Sequence, residues 1–416
     1  MITGRPRRRE HSTAQKRFMW IRTFLCSLLC GSAFCVLWFA WHLQYEYSNW
    51  PTNKPEQAYR YSSLLLTWYA EQLSVGGNLI RAKQVYQQAL AINPLYPPAW
   101  LGIAGLEDDR GNRANANQVL DFIALQTREI QRWSWNKTLL AYRLGRNDVL
   151  ARELPYLIDN VSGKLKDDAM RMAFTIWPNM PELRAVLDKQ IPALFRYAVR
   201  TGRHQHAMML WPEISSQLED VPRQELVRFI TQLIVQKEWE IAKQAWTEIT
   251  GSGNGMIHDG SFLAMPLQGA FGWRIGDVKG CSWNIEAQPD NGQKGNSLHV
   301  HFTGQENVQY QHVSQIIPVE GGKNYHLSAY WKGKKLTTDQ RPYVELLPYG
   351  CAGAGSKSAI IDADTGGWQE VQLEMQVPEE CHAVLFRLRR QQSLQIDNRL
   401  SGDFWMTGVN LSQRNL

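Results

Sequence analysis

Beyond Arg22 the chain has no net charge. The formal charge is +6 at pH 7, and Arg5, Arg7, Arg8, Arg9, Lys16, Arg17 and Arg22, opposed only by Glu10, account for all of it. A nucleic-acid partner calls for a basic patch on a folded domain, so none is expected. Cysteine is scarce, at six in 416 residues. Cys281, Cys351 and Cys381 show no C-x-x-C spacing, which argues against a zinc site. G-x-S-x-G, H-E-x-x-H and Walker sequences are also missing. His299 and His301 point the same way on one strand and would give two metal ligands, but no third is placed beside them in the sequence. No metal, no cofactor and no catalytic residue is therefore expected, and the chain reads as a non-enzyme.

Charged residues are absent from Thr23 to Trp41. With Phe18 to Ile21 ahead of it, this run reaches the roughly 20 apolar residues that span a bilayer. Trp20, Trp38 and Trp41 stand near its ends, where indoles favour the headgroup region. The basic cluster lies on the N-terminal side, which keeps that side in the cytoplasm. The reading is a basic cytoplasmic tail at 1–17, a transmembrane helix at 18–43 and a juxtamembrane linker at 44–60. A cleaved signal peptide fits less well, because the run is long and bulky and lacks an A-x-A site. The rest of the chain then sits in an oxidising compartment, where a disulfide between Cys351 and Cys381 is expected, leaving Cys281 over.

Residues 61–250 read as helical, with apolar positions recurring at three and four and Pro and Gly between them. The stretch Leu64 to Pro94 carries Ala70, Gly77, Ala82, Tyr86, Ala89 and Pro94. Trp100, Ala104, Gly111, Ala116 and Leu120 follow one repeat later, and Gly202 with Ala207 and Ala242 with Trp246 echo the pattern. These positions resemble the tetratricopeptide repeat, a helix pair of about 34 residues. The resemblance implies a stacked solenoid whose groove binds a protein partner. Trp133, Trp135, Trp177 and Trp211 read as core.

After the linker at 251–257 the period changes to two. Leu298, Val300 and Phe302 alternate with Ser297, His299 and His301. Tyr325, Leu327, Ala329 and Trp331 alternate with His326, Ser328 and Tyr330, and Val384, Phe386 and Leu388 with their neighbours. Short alternating strands between Gly- and Asp-containing turns predict a β-sandwich over 258–416. Its opening, Asp259 to Leu263, and the run Gln315 to Gly333 resemble the jelly-roll, galactose-binding-like carbohydrate-binding modules of xylanases and cellulases. In that family a structural calcium uses a Glu after the first Phe and an Asp on the final strand. Leu263, Thr407 and Gly408 stand there instead, so calcium is not expected. Strand parity places His326, Tyr330, His299, His301, Arg387 and Arg389 on outward faces and Tyr310 and His312 on one shared face of their strand; clustered on one surface, all eight are candidates for contact with a polysaccharide.

The whole is thus a multidomain α-then-β chain: membrane helix, tetratricopeptide-like solenoid, jelly roll. The architecture is similar to bacterial membrane proteins associated with exopolysaccharide assembly. That likeness implies a single-pass inner-membrane protein with its bulk in the periplasm, acting as a non-catalytic scaffold. Two alternatives remain open. One is a glycan-modifying hydrolase or transferase; Asp362-Ala363-Asp364 resembles the D-x-D of metal-dependent glycosyltransferases, and sequons at Asn136, Asn160 and Asn410 suit a Golgi enzyme. Alternating strand–helix units for a nucleotide-sugar fold are missing, however. The other is a structural spacer.

Overall fold

The structure is a computed structural model. It describes Trp38 and residues 62–251, 255–287 and 295–414. The expected tail at 1–17, the transmembrane run at 18–43 apart from Trp38, the linker at 44–60 and part of the linker at 251–257 lie outside the described residues. No helix among the described residues is long and apolar enough to cross a membrane. Over residues 62–414, twelve α-helices precede ten strands in two antiparallel sheets among the described residues. The chain forms two compact units that meet in sequence at Arg146 and Asn147.

The described part of the first unit contains α1 (Ser63–Val75), α2 (Leu79–Ile92), α3 (Pro97–Asp109), α4 (Arg113–Gln126) and α5 (Gln131–Leu144). Ser62 caps α1 by accepting from the Leu65 amide, and Asn78 caps α2 by accepting from Arg81. Gly77, Gly111 and Gly145 all take positive φ after a helix, at the spacing of about 34 residues that a tetratricopeptide hairpin requires. A side chain is strained in that conformation, so glycine ends each helix. Ala70, Ala82 and Ala89 are wholly buried between α1 and α2. The Tyr86 ring fills the space left at Gly102, where an added Cβ would fall 2.2 Å from it. Pro94 follows α2, and its carbonyl accepts from the Trp100 indole at 2.7 Å. Lys83 and the buried Glu107 join α2 to α3 at 2.6 Å. The Lys83 hydrogen bond holds the Glu107 carboxyl below its usual range, outweighing burial.

The second unit begins with α6 (Asn147–Asn160), α7 (Gly163–Ile176), α8 (Met180–Val186), α9 (Ile191–Arg200), α10 (His204–Ile214), α11 (Arg223–Val235) and α12 (Trp239–Thr250). Gly202 turns α9 into α10 at positive φ, and Lys237 takes the same role between α11 and α12. Phe229 on α11 meets Phe195 and Trp211, each with ring centroids 5.1 Å away.

The strands are β1 (Arg274–Ile275), β2 (Cys281–Ala287), β3 (Asn296–Thr303), β4 (Tyr310–Pro318), β5 (Asn324–Lys334), β6 (Tyr343–Pro348), β7 (Ser356–Lys357), β8 (Gln369–Gln376), β9 (Ala383–Arg390) and β10 (Ser401–Arg414). One sheet runs β1-β4-β9-β6-β7 and the other β2-β3-β10-β5-β8. The chain passes repeatedly between them. Inward residues of both, among them Phe302, Tyr325, Leu327, Phe386 and Phe404, make one apolar core. Sheet packing of this kind buries alternate residues, and β5 follows the rule along almost its whole length. Cys351 and Cys381 form a disulfide, with Cα atoms 5.5 Å apart. Cys281 is free and half-buried.

His258 to Ile275 is the joint between these helices and the sandwich. Phe262 and Trp273 enter the sandwich core. Asp259 accepts from the Leu263 and Ala264 amides at 2.7 and 3.0 Å and shapes the turn. The buried Gln315 amide both donates to and accepts from the His258 backbone. Across the joint, Trp246 of α12 packs edge-on against His258 and Phe271, and Thr231 of α11 accepts from the Ala270 amide. Trp239 meets Tyr349 edge-on and stacks against His382. The change of hydrophobic period near Gly251 is therefore not a break in packing.

Candidate functional site

The eight outward candidates do not form one surface. His299, His301, His326 and Tyr330 belong to the β2-β3-β10-β5-β8 sheet, whereas Tyr310, His312, Arg387 and Arg389 belong to the other. One of these placements needs correction. A bulge between Tyr310 and Val313 shifts the register of β4 against β9. The extra residue reverses strand parity, so Tyr310 turns inward and is 1% exposed. Burial pushes its hydroxyl well above the usual tyrosine range, with Cys281 and Asp277 adding to the effect. Arg387 and Arg389 point outward, but both are held by the buried Glu345. His312 lies half-buried beside Tyr310 at the β1 pairing.

The other sheet builds a site. Its outer face places Asn284 of β2, His299 of β3, Trp405 of β10 and Lys332 of β5 in one cross-strand row. Ser282, His301, Asp403 and Lys334 form the next row. His299 stacks on Trp405 with centroids 4.6 Å apart and planes 7° from parallel. The Lys332 ammonium lies 5.4 Å from the same indole centroid, coming from the strand on the opposite side. The indole thus stands between an imidazole and a cation, an arrangement its quadrupole favours. Tyr330 comes next on β5, opposite Thr407 and Glu370.

Two carboxylates complete the group. Glu286 Oε1 lies 2.7 Å from His299 Nδ1, and Glu286 Oε2 accepts from Trp405 Nε1 at 2.9 Å. Asn284 donates to Glu286 at 3.0 Å. Asp403 Oδ1 lies 2.9 Å from His299 Nε2 and 2.7 Å from His301 Nδ1. Burial raises the Glu286 carboxyl, but hydrogen bonds from Trp405, Asn284 and His299 outweigh it and leave the group below its usual range. For Asp403 burial is likewise outweighed, by His301 and His299. Both groups are therefore charged at neutral pH. Among the described residues no set of three His, Cys, Asp or Glu is arranged to hold a metal ion.

The strand pattern marked the two histidines, but Glu286, Asp403 and Trp405 were missed. Asp403 is 104 residues from His299, and only strand pairing brings them together. The D-F-W-M alternation at Asp403 to Met406 was the available signal. On the positions the calcium resemblance singled out, Leu263 is exposed, and the Thr407 hydroxyl donates to the Asn296 carbonyl at 2.6 Å. In the D-x-D stretch, Asp364 accepts from the Gly366 amide and closes a turn. Asn136, Asn160 and Asn410 are exposed.

No protein-family model and no curated protein matches the chain. Among solved structures, the chain is similar to the carbohydrate-binding and catalytic modules of a Clostridium thermocellum endo-1,4-β-D-xylanase complexed with xylohexaose. The match has 14% identity and a TM-score of 0.27, covering 39% of this chain and 29% of that one. A family 16 carbohydrate-binding module matches at 16% identity and a TM-score of 0.28, over 38% of this chain and 99% of that one. A tetratricopeptide repeat protein from Parabacteroides merdae matches at 17% identity and a TM-score of 0.25, over 46% and 80% of the two chains. At these scores the fold rests on the helix pairs and strand pairing of the chain itself.

Proposed function

We propose that this chain is a non-catalytic scaffold that binds glycan on the β2-β3-β10-β5-β8 face and a protein partner on its helical repeats. The observation that carries the reading is the row of His299, Trp405 and Lys332, in which Glu286 holds both His299 and Trp405 and Asp403 holds His299. Its hydrogen bonds are already made, so little ordering is required when a ligand arrives. Saccharide recognition uses a few fixed polar groups beside an aromatic surface, and His301, Lys332 and Tyr330 are among the groups on this face that remain open, with Asn284 and Lys334 beside them. Anchoring by 18–43 in a bacterial inner membrane, with the bulk periplasmic, would suit a part in exopolysaccharide assembly or export.

An enzyme reading has one observation in its favour, the carboxylates Glu286 and Asp403 on either side of His299. Glycoside hydrolysis, however, needs one carboxyl kept protonated as a general acid. Both groups here are held below the ordinary range, so neither serves as that acid near neutral pH.

The test is retention of the full chain on immobilised neutral and acidic polysaccharides, alongside Trp405→Ala and Tyr330→Ala. Retention by at least one glycan, reduced about tenfold or more in the variants, supports the reading. No retention across the panel defeats it.

A further inference from the structure

In the second unit α7, α9 and α11 enclose a hollow of about 440 Å³. They are alternate helices along the chain, as expected where helix pairs stack. The buried Met170 and Tyr197 give its lining an apolar part. The rest is charged, and the charges do not balance. Lys166, Arg196 and Arg200 share the lining with Asp167 and Glu225. Both carboxylates are already taken. Arg200 holds Asp167 at 2.5 Å and joins α9 to α7, while Arg228 holds Glu225 along α11 at 3.2 Å. Among the described residues, Lys166 and Arg196 have no carboxylate partner. Arg196 donates from Nε to the Pro192 carbonyl of its own helix at 3.3 Å, which leaves the two terminal nitrogens of its fork to find another acceptor. Both side chains are half-buried, where salt screens a charge less than on an open surface. The chain past Arg22 carries no net charge, so this local excess is a feature of the groove.

We propose that this hollow takes an acidic peptide segment of the protein partner. Its carboxylates meet Lys166 and Arg196, and an apolar side chain settles against Met170 and Tyr197. The inference rests on the reading that the helical repeats bind a protein, and it adds the chemistry of what they bind. The open end of the Arg196 fork matches a carboxylate in bidentate geometry, whereas Lys166 supplies a point charge. A neutral segment would leave both cations without a counter-charge, and a basic one would be repelled. A nucleic acid calls for a stripe of phosphate contacts along a basic face. Two cations beside an apolar lining suit a sequence that mixes acidic and aliphatic residues.

The test uses the full chain and two fluorescent peptides, one built from Glu, Leu and Gly and a counterpart with Gln in place of Glu. Fluorescence anisotropy should show the acidic peptide binding at least about tenfold more tightly than its counterpart. The double variant Lys166→Glu, Arg196→Glu should lose about tenfold in affinity for it. Lys357→Glu, the same change of charge on the sandwich, should leave that affinity unchanged. A second measurement needs no variant: carbodiimide cross-linking of the acidic peptide to the unaltered chain should map to Lys166. Cross-links confined to the basic stretch at 1–17 or to the sandwich overturn the inference, as does an affinity that the double variant keeps. Equal binding of both peptides overturns the inference and spares the partner reading. Binding of neither overturns both. Displacement of the peptide by duplex DNA at equal charge makes the hollow a general anion site and overturns the peptide class.

Discussion

His299 and Trp405 lie face to face across β3 and β10, 4.6 Å between centroids and 7° from parallel. Each also reaches Glu286, the imidazole at Oε1 and the indole at Oε2. The stack and the shared carboxylate hold each other in place, so removing one ring should disturb both. Trp405→Ala is expected to cost about 2–3 kcal/mol, the low end for a large aromatic because the ring is only half-buried. Trp405→Phe keeps a ring but withdraws the Nε1 donor, at about 1 kcal/mol. Chemical denaturation of the two variants checks the order.

Acid should weaken the sandwich. Glu286 and Asp403 are both depressed in the folded chain. Their contribution is present above the ordinary carboxylate range and is lost as pH falls through the lower folded values. Thermal unfolding of the full chain should show its melting temperature falling below about pH 4. The double variant Glu286→Gln, Asp403→Asn should show a shallower fall. An equal slope in both proteins would remove these two groups from the account.

The disulfide closes a 30-residue separation across the β6–β9 end of the sandwich. Replacing both Cys351 and Cys381 by Ser should lower stability by about 2–4 kcal/mol. Reductant should do the same to the unaltered chain and nothing further to the variant.

Gly260 and Gly367 should respond very differently to alanine. A Cβ at Gly260 would sit 1.9 Å from the Val409 carbonyl oxygen, whereas one at Gly367 meets nothing within 4 Å. Gly260 also accepts from the Val409 amide at 2.9 Å, which ties the opening turn to β10. Backbone cannot yield as a side-chain tip can, so Gly260→Ala should cost about 3 kcal/mol or more. Gly367→Ala should fall within about 0.5 kcal/mol of the parent.

Much of the architecture was legible because periodicity is a local property. The alternation of Tyr325, Leu327, Ala329 and Trp331 against His326, Ser328 and Tyr330 translates directly into the faces of β5. Gly77 and Gly111 marked hairpin turns for the same reason, and Gly145 stood one further repeat along. Two kinds of information were not local. A bulge adds one residue without any compositional sign, and that is how Tyr310 came to lie in the core. Nor does a strand announce which sheet it joins. Arg387 and His299 both read as outward, yet they ended on different sheets. The carboxylates that complete the His299 group were hidden by distance along the chain.

The seating of Trp239 and Trp246 against Tyr349, His382, His258 and Phe271 removes the swivel that a glycine-rich stretch would otherwise provide. Whatever α11 and α12 hold, and whatever β5 and β10 hold, are kept at one separation and one orientation. Under the proposed reading, the second unit would serve as a gauge, accepting its two ligands only at the spacing it dictates.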